Sequence, residues 1–241
     1  MNSVTVLRLA GPLQAWPGPS QYRSRLSSEY PTYSMLLGLL SSMAGVTRGG
    51  DLPGYLKEIK MSVRLDRPGK LLRDFHTINP YTQDYFPWLK KSDAKTAARR
   101  IANADGSLHE HAVITERFYR EDSEVLVFVD DPTGDVARAA ASPQWAVFAG
   151  RKSCVLSWPL TLGPTTGDCE SALASFPSTG VPSVKQAVMF SKPTNLVAKE
   201  KISLPQKPDG GSFLPMDSFV VYVSPPSVSS WTALLGGEHV A

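Results

Sequence analysis

Residues 7–46 read LRLAGPLQAWPGPSQYRSRLSSEYPTYSMLLGLLSSMAGV. The stretch starts as an apolar strand (Val4, Val6, Leu7 and Leu9) that Gly11 and Pro12 end. A loop of Gly, Pro, aromatic and Arg residues follows. Then Met35, Leu36, Leu39, Leu40 and Met43 recur at helical spacing. Thr32 and Ser34 stand where a helix cap is needed, and Gly45 and the pair Gly49-Gly50 stop the helix. Gly38 inside it predicts a close backbone approach. The loop between strand and helix carries Gln14, Trp16, Tyr22, Arg23 and Arg25, residue types that stack on bases and pair with phosphates.

Outward from that stretch, Met61, Val63 and Leu65 alternate. Arg67-Pro68-Gly69-Lys70 then reads as a hairpin turn into residues 71–76. Residues 113–120 and 124–129 around Glu121-Asp122 predict a second hairpin. Residues 52–59 suit a short helix, 136–141 a weak helix ended by Pro143, and 145–148 a further strand. The resulting order, strand, helix, strand, strand, helix, strand, fits a ferredoxin-like β-α-β-β-α-β unit over residues 1–148, within an α+β class. Beyond it Pro and Gly become frequent, with short strands at 184–190 and 219–223. A small β-rich C-terminal subdomain over 149–241 is the expectation.

The chain has 241 residues, 42% hydrophobic and 20% charged, with a net charge of +3. Those values suit a self-sufficient globular core and are too weakly basic to establish nucleic-acid binding alone. Cys154 and Cys169 make neither a disulfide framework nor a zinc site. With no basic leader and no long apolar run, the expectation is a cytoplasmic protein with reduced thiols. No phosphate-binding Gly loop, dinucleotide fingerprint or nucleophile elbow is present, so no cofactor is expected.

Each candidate site has a plain structural counterpart. The loop 14–25 is either an RNA-contacting surface or a cover for the edge of the core. Thr32 and Ser34 either hold a phosphate at a helix start or simply cap it. Between 79 and 110 come Tyr81, Tyr85, Phe86 and Trp88, then Lys90, Lys91, Lys95, Arg99 and Arg100. Lys91, Lys95 and Arg99 recur every four residues, as on a nucleic-acid-tracking arm or a solvated helix face. Gly150-Arg151-Lys152-Ser153 is a compact cationic turn, for phosphate or for solvent. His109-Glu110-His111 lacks the zincin spacing and a third ligand, so no metal site is expected. His76, His109 or His111 with Tyr81 and Lys90 supply the group types for metal-free RNA cleavage, though RNA-contacting surfaces carry them without catalysis.

LRLAGPLQAWPGPSQYRSR followed by YPTYSMLLGLLSSMAGV resembles the N-terminal signature of CasD, the type I-E family of the fifth-numbered CRISPR-associated protein. VRLDRPGKLLRDFHT (63–77) and FAGRKSCVLSWPLTLG (148–163) resemble its second and third blocks. The resemblance implies a non-catalytic subunit of the Cascade surveillance complex, with an RRM-like domain and an inserted thumb hairpin at 79–110. It implies a partner in the 5′ handle of crRNA, in the backbone subunits whose filament it caps and in the large PAM-reading subunit. Target DNA would pass near the thumb.

On that basis the expected RNA contacts are Gln14, Trp16, Tyr22, Arg23, Arg25, Thr32, Ser34, His76, Arg117, Arg151 and Lys152. Lys90, Lys91, Lys95, Arg99 and Arg100 are the expected thumb contacts. Type I-C relatives cleave repeat RNA themselves, so a metal-independent endoribonuclease is the alternative. A protein scaffold without RNA affinity is the third reading.

Overall fold

The computed structural model describes residues 3–16, 18, 23–78, 113–179, 183–206 and 214–231. Its strands in chain order are β1 (Ser3–Ala10), β2 (Leu13–Gln14), β3 (Ser24–Arg25), β4 (Met61–Arg67), β5 (Lys70–Ile78), β6 (Val113–Glu121) and β7 (Glu124–Asp130). They continue as β8 (Thr161–Thr166), β9 (Ser178–Thr179), β10 (Lys185–Met189), β11 (Glu200–Gln206), β12 (Leu214–Val223) and β13 (Ser227–Val228). The helices are α1 (Tyr33–Met43), α2 (Asp135–Ala141) and α3 (Cys169–Ser175). The class is α+β, mostly sheet with few helices. No helix among the described residues is long and apolar enough to cross a membrane.

Strands β1 and β7 are apolar on both faces, so the sheet they centre must be covered on both sides. Leu7, Leu9, Val125, Val127 and Val129 pack into one core, and Val4, Val6, Leu126 and Phe128 into a second. Helices α1 and α2 cover the first with Leu36, Leu39, Leu40, Met43, Val136 and Ala140. Helix α3 covers the second with Ala172 and Leu173, joined by Phe176 and Trp231. Around β1 and β7 the order is β4-β7-β1-β8, every pair antiparallel.

Arg64 is fully buried on β4, paired with Asp66 at 2.6 Å. Its remaining donors meet the carbonyls of Leu173, Phe176 and Pro177 at 2.6–2.8 Å. The guanidinium thus satisfies carbonyls at the end of α3 that would otherwise be orphaned.

Neither predicted hairpin forms. β4 pairs with β7 and β5 with β6, at a register that carries on across the breaks. Residues 61–78 and 113–130 are therefore one long hairpin, bent once, whose far half leaves the main sheet. Pro68 and Gly69 are a bend in one strand, and Asp122 and Ser123 a bend in the other. Residues 145–148 also differ from expectation: Phe148 makes an isolated bridge to Val155, and the sheet's outer strand beside β1 is β8. Residues 52–59 hold only a 3-10 turn, Gly54–Leu56. Gly38 is exposed, with open space where a side chain would sit, so it marks no close approach.

Of the strands beyond residue 148, β9 and β13 pair in parallel as a small sheet of their own, and the others join the main layer. β10 pairs with β4, β12 with β10 and β11 with β12, giving one seven-stranded sheet, β11-β12-β10-β4-β7-β1-β8. This sheet takes strands from both sides of residue 148.

Candidate nucleic-acid interface

The site is assembled where the long hairpin bends. Gly69 has φ +68°, and a Cβ there would overlap the Glu121 carbonyl, so glycine is required. Asp122, at φ +52°, donates its N–H to Pro12 O at 3.1 Å. Arg67 Nε donates to Asp122 O at 2.7 Å, and Ser123 Oγ donates to Arg67 O at 3.2 Å. Gln14 locks the bend from inside. Its Nε2 donates to Leu9 O and to Ser123 O, both at 2.8 Å, and its Oε1 accepts from Trp16 Nε1 at 3.0 Å.

Past the bend, β5 and β6 form the stem of an arm. β6 is also paired along its other edge, with β2 (Leu13↔Glu121, Gln14↔Arg120) and with β3 (Ser24↔Glu116, Arg25↔Arg117). The Gly/Pro-rich loop is thus stitched to the stem at both ends. The cationic turn docks onto the same loop. Ala15 N–H donates to Ala149 O at 2.9 Å, and Cys154 N–H closes the turn onto Arg151 O at 2.8 Å. Gly150 sits at φ +91° against Ala15 O, where any Cβ would overlap.

This packing brings together Arg25 and Arg117, register partners on adjacent strands, and Arg151. The Arg151 guanidinium lies 4.6 Å from the Tyr119 ring centre and donates to Arg25 O at 3.2 Å and Phe118 O at 3.4 Å. Like charges on paired positions repel. Asp74 is Arg117's partner on the other strand, so the excess of positive charge at the seam rests on Arg25 and Arg151, and exposed Arg23 and Lys152 flank it. The opposite face of the stem is neutralised internally, by Arg73 with Glu116 and by Arg120 with Glu29 at 3.3 Å.

A sequence signal accompanies this field. No Asp or Glu occurs before Glu29, nor between Asp135 and Asp168, and these two acid-free segments are the ones packed together. Composition averaged over the chain conceals it.

Two expected contacts are corrected by burial. Gln14 is 0% exposed and Trp16 2% exposed. Trp16 presents no face to a base because its ring is in the core, and Gln14 spends both amide donors on backbone carbonyls. Thr32 occupies the N-cap position of α1 but makes no side-chain cap bond; its Oγ1 lies 3.2 Å from Ser34 Oγ, and it is buried. His76 lies on the stem with Nε2 2.5 Å from Asp74 Oδ2. Tyr22, Tyr81, His109, His111, Lys90, Lys91, Lys95, Arg99 and Arg100 lie outside the described residues. Among the described residues no group of three or more His, Cys, Asp or Glu could hold a metal ion.

The family model described as CRISPR-associated protein (Cas_Cas5) matches residues 4–207. The CRISPR system Cascade subunit CasD of Escherichia coli (strain K12) is 28% identical over 191 residues, 75% of this chain and 80% of that one. A chain in a solved CRISPR RNA-guided surveillance complex matches with a TM-score of 0.71 and 27% identity, over 96% of this chain and 97% of its own. A crystal structure of a Cas protein matches with a TM-score of 0.58 and 22% identity, over 92% and 95%, which speaks for the fold.

Proposed function

The chain belongs to the CRISPR-associated Cas5 family, and from that premise we propose that it is a non-catalytic subunit of a type I-E Cascade surveillance complex. It binds the 5′ handle of crRNA, caps the backbone filament and supports crRNA-guided binding of foreign DNA in the cytoplasm. The observation that carries the reading is the cationic seam of Arg25, Arg117, Arg151 and Lys152, built by packing two acid-free segments against one strand. Phosphate contacts position a nucleic acid without reading its sequence, and guide pairing supplies the sequence. Arg23 flanks the same surface, and Ser34 and His76 are further RNA contacts in this reading; Thr32 is buried and is left out of it.

The order β4-β7-β1-β8, with α1 and α2 on one face, supports a ferredoxin-like, RRM-like unit. The β5–β6 stem supports the reading of 79–110 as an inserted thumb hairpin. Lys90, Lys91, Lys95, Arg99 and Arg100 would there meet phosphates of the RNA–DNA region. Backbone subunits and the large PAM-reading subunit are the remaining partners.

The test is assembly with crRNA and the other subunits, followed by ribonuclease footprinting of the handle. Arg25→Ala with Arg117→Ala is expected to lose handle protection. Unchanged protection would count against the seam.

One observation favours a second reading. Asp74 is placed to orient His76 as a general base, with Arg117 opposite Asp74 in the register to meet a phosphate. An endoribonuclease built this way cuts repeat RNA in EDTA and loses the cut on His76→Ala. Uncut RNA retires it.

A further inference from the structure

Trp158 is 69% exposed, the most exposed aromatic side chain among the described residues. Its backbone is fixed on both sides. Cys154 is 1% exposed and Leu160 2%, so the segment is pinned by two buried side chains. Ser157 N–H donates to Ala10 O at 2.8 Å, and Arg8 N–H donates to Leu160 O at 2.7 Å. The indole is thus held outward from a rigid strip running beside the end of β1.

The same strip carries Arg151 and Lys152, and Val155 is also exposed. Trp158 lies six positions beyond Lys152, so their Cα atoms are at most about 22 Å apart, a span that a short single strand covers. No carboxylate occurs in this segment, from 136 to 167. Cations with an exposed indole and no acid between them fit a polyanion that also offers flat aromatic faces, which an unpaired RNA strand does.

We propose that Trp158 is a stacking platform for one unpaired base of the RNA strand whose phosphates lie on the Arg25–Arg117–Arg151–Lys152 seam. The proposal rests on the RNA-binding reading above. It replaces Trp16, whose ring is buried, as the aromatic that meets the RNA. Because every base has a π-face, the contact tolerates any base, and because it is uncharged it adds nothing to the salt dependence.

The experiment titrates the full chain with end-labelled single-stranded RNA copied from the 5′ handle. A second set of RNAs carries one abasic nucleotide at each position in turn. Trp158→Ala is expected to weaken binding roughly 5- to 150-fold with an unchanged salt dependence. Trp158→Phe is expected to keep most of the affinity. With the RNA abasic at one particular position, Trp158→Ala is expected to have no further effect.

Unchanged affinity in Trp158→Ala, alongside weakening by Arg151→Ala with Lys152→Ala, overturns the stacking role and leaves the RNA reading standing. No affinity in any variant or in the wild type overturns both. Full RNA affinity with release of the chain from the assembled complex makes Trp158 a protein contact and overturns the proposal.

Discussion

Gln14 offers the most specific test of how the arm is anchored. It is fully buried, and its amide makes three hydrogen bonds, to Leu9 O, Ser123 O and Trp16 Nε1. At a net of about 1 kcal/mol each, Gln14→Ala should cost about 3 kcal/mol. For an unfolding slope of about 3 kcal/mol/M, the urea midpoint falls by about 1 M. Gln14→Glu is the sharper probe, because it keeps the shape and the acceptor for Trp16 but turns a carboxylate towards two carbonyl oxygens. An unpaired buried ion costs several kcal/mol, so the folded form should hold its proton, raising the pKa above the unfolded value of about 4.3. The folded state then binds more protons than the unfolded one between those two pKa values. The penalty relative to wild type should be smallest near pH 4 and should grow as pH rises through that window. Urea unfolding of both variants from pH 4 to pH 8 measures it. Equal stability of Gln14→Glu and wild type throughout would refute the anchoring of the bend by this amide.

Other positions give independent checks. Glu170 is buried; burial disfavours its charge, but N–H bonds from Leu196, Thr194 and Asn195 outweigh it and hold the carboxyl below its ordinary range. The stability it contributes is therefore present above the unfolded pKa and lost as pH falls through the lower folded value. Glu170→Gln should flatten that acid limb and speed amide exchange at Asn195 and Leu196. Arg64→Met leaves Asp66 buried and unpaired, for a loss of about 3–5 kcal/mol by chemical denaturation. Gly150→Ala forces a side chain into Ala15 O at φ +91°. It should destabilise by about 1–3 kcal/mol or more and lower RNA affinity by displacing Arg151 and Lys152.

How much of this was legible depended on whether the deciding interactions were local. The apolar runs of β1 and β7 and the stripe Leu36, Leu39, Leu40 and Met43 announce themselves, because each spacing matches its own element. The bent hairpin does not. Pro68-Gly69 and Asp122-Ser123 are turn signatures, and only the pairing of residues 61–78 with 113–130 reveals that they form one bend at the same height on two strands. β8 was missed because Gly163 and Pro164 weaken its strand pattern, which is tolerable on the edge it occupies. Gln14 and Trp16 bond to each other, and Arg151 reaches Arg25 O, a meeting of loop and turn that neither reading alone contained. Residue type alone could not say that the first two face inward. Trp158 and the paired acid-free segments were present in the sequence, but their significance appears only when the segments are seen in contact.

In the proposed function this chain holds RNA by its phosphates without cutting it. The direct measurement is a titration of the chain with end-labelled handle-containing repeat RNA in EDTA, on native and denaturing gels, across a range of salt. Four phosphate contacts from Arg25, Arg117, Arg151 and Lys152 predict a slope of log affinity against log salt of about −3 for a single strand. That slope is expected with every RNA molecule intact. A salt-insensitive shift, no shift at all, or a discrete cut would contradict it.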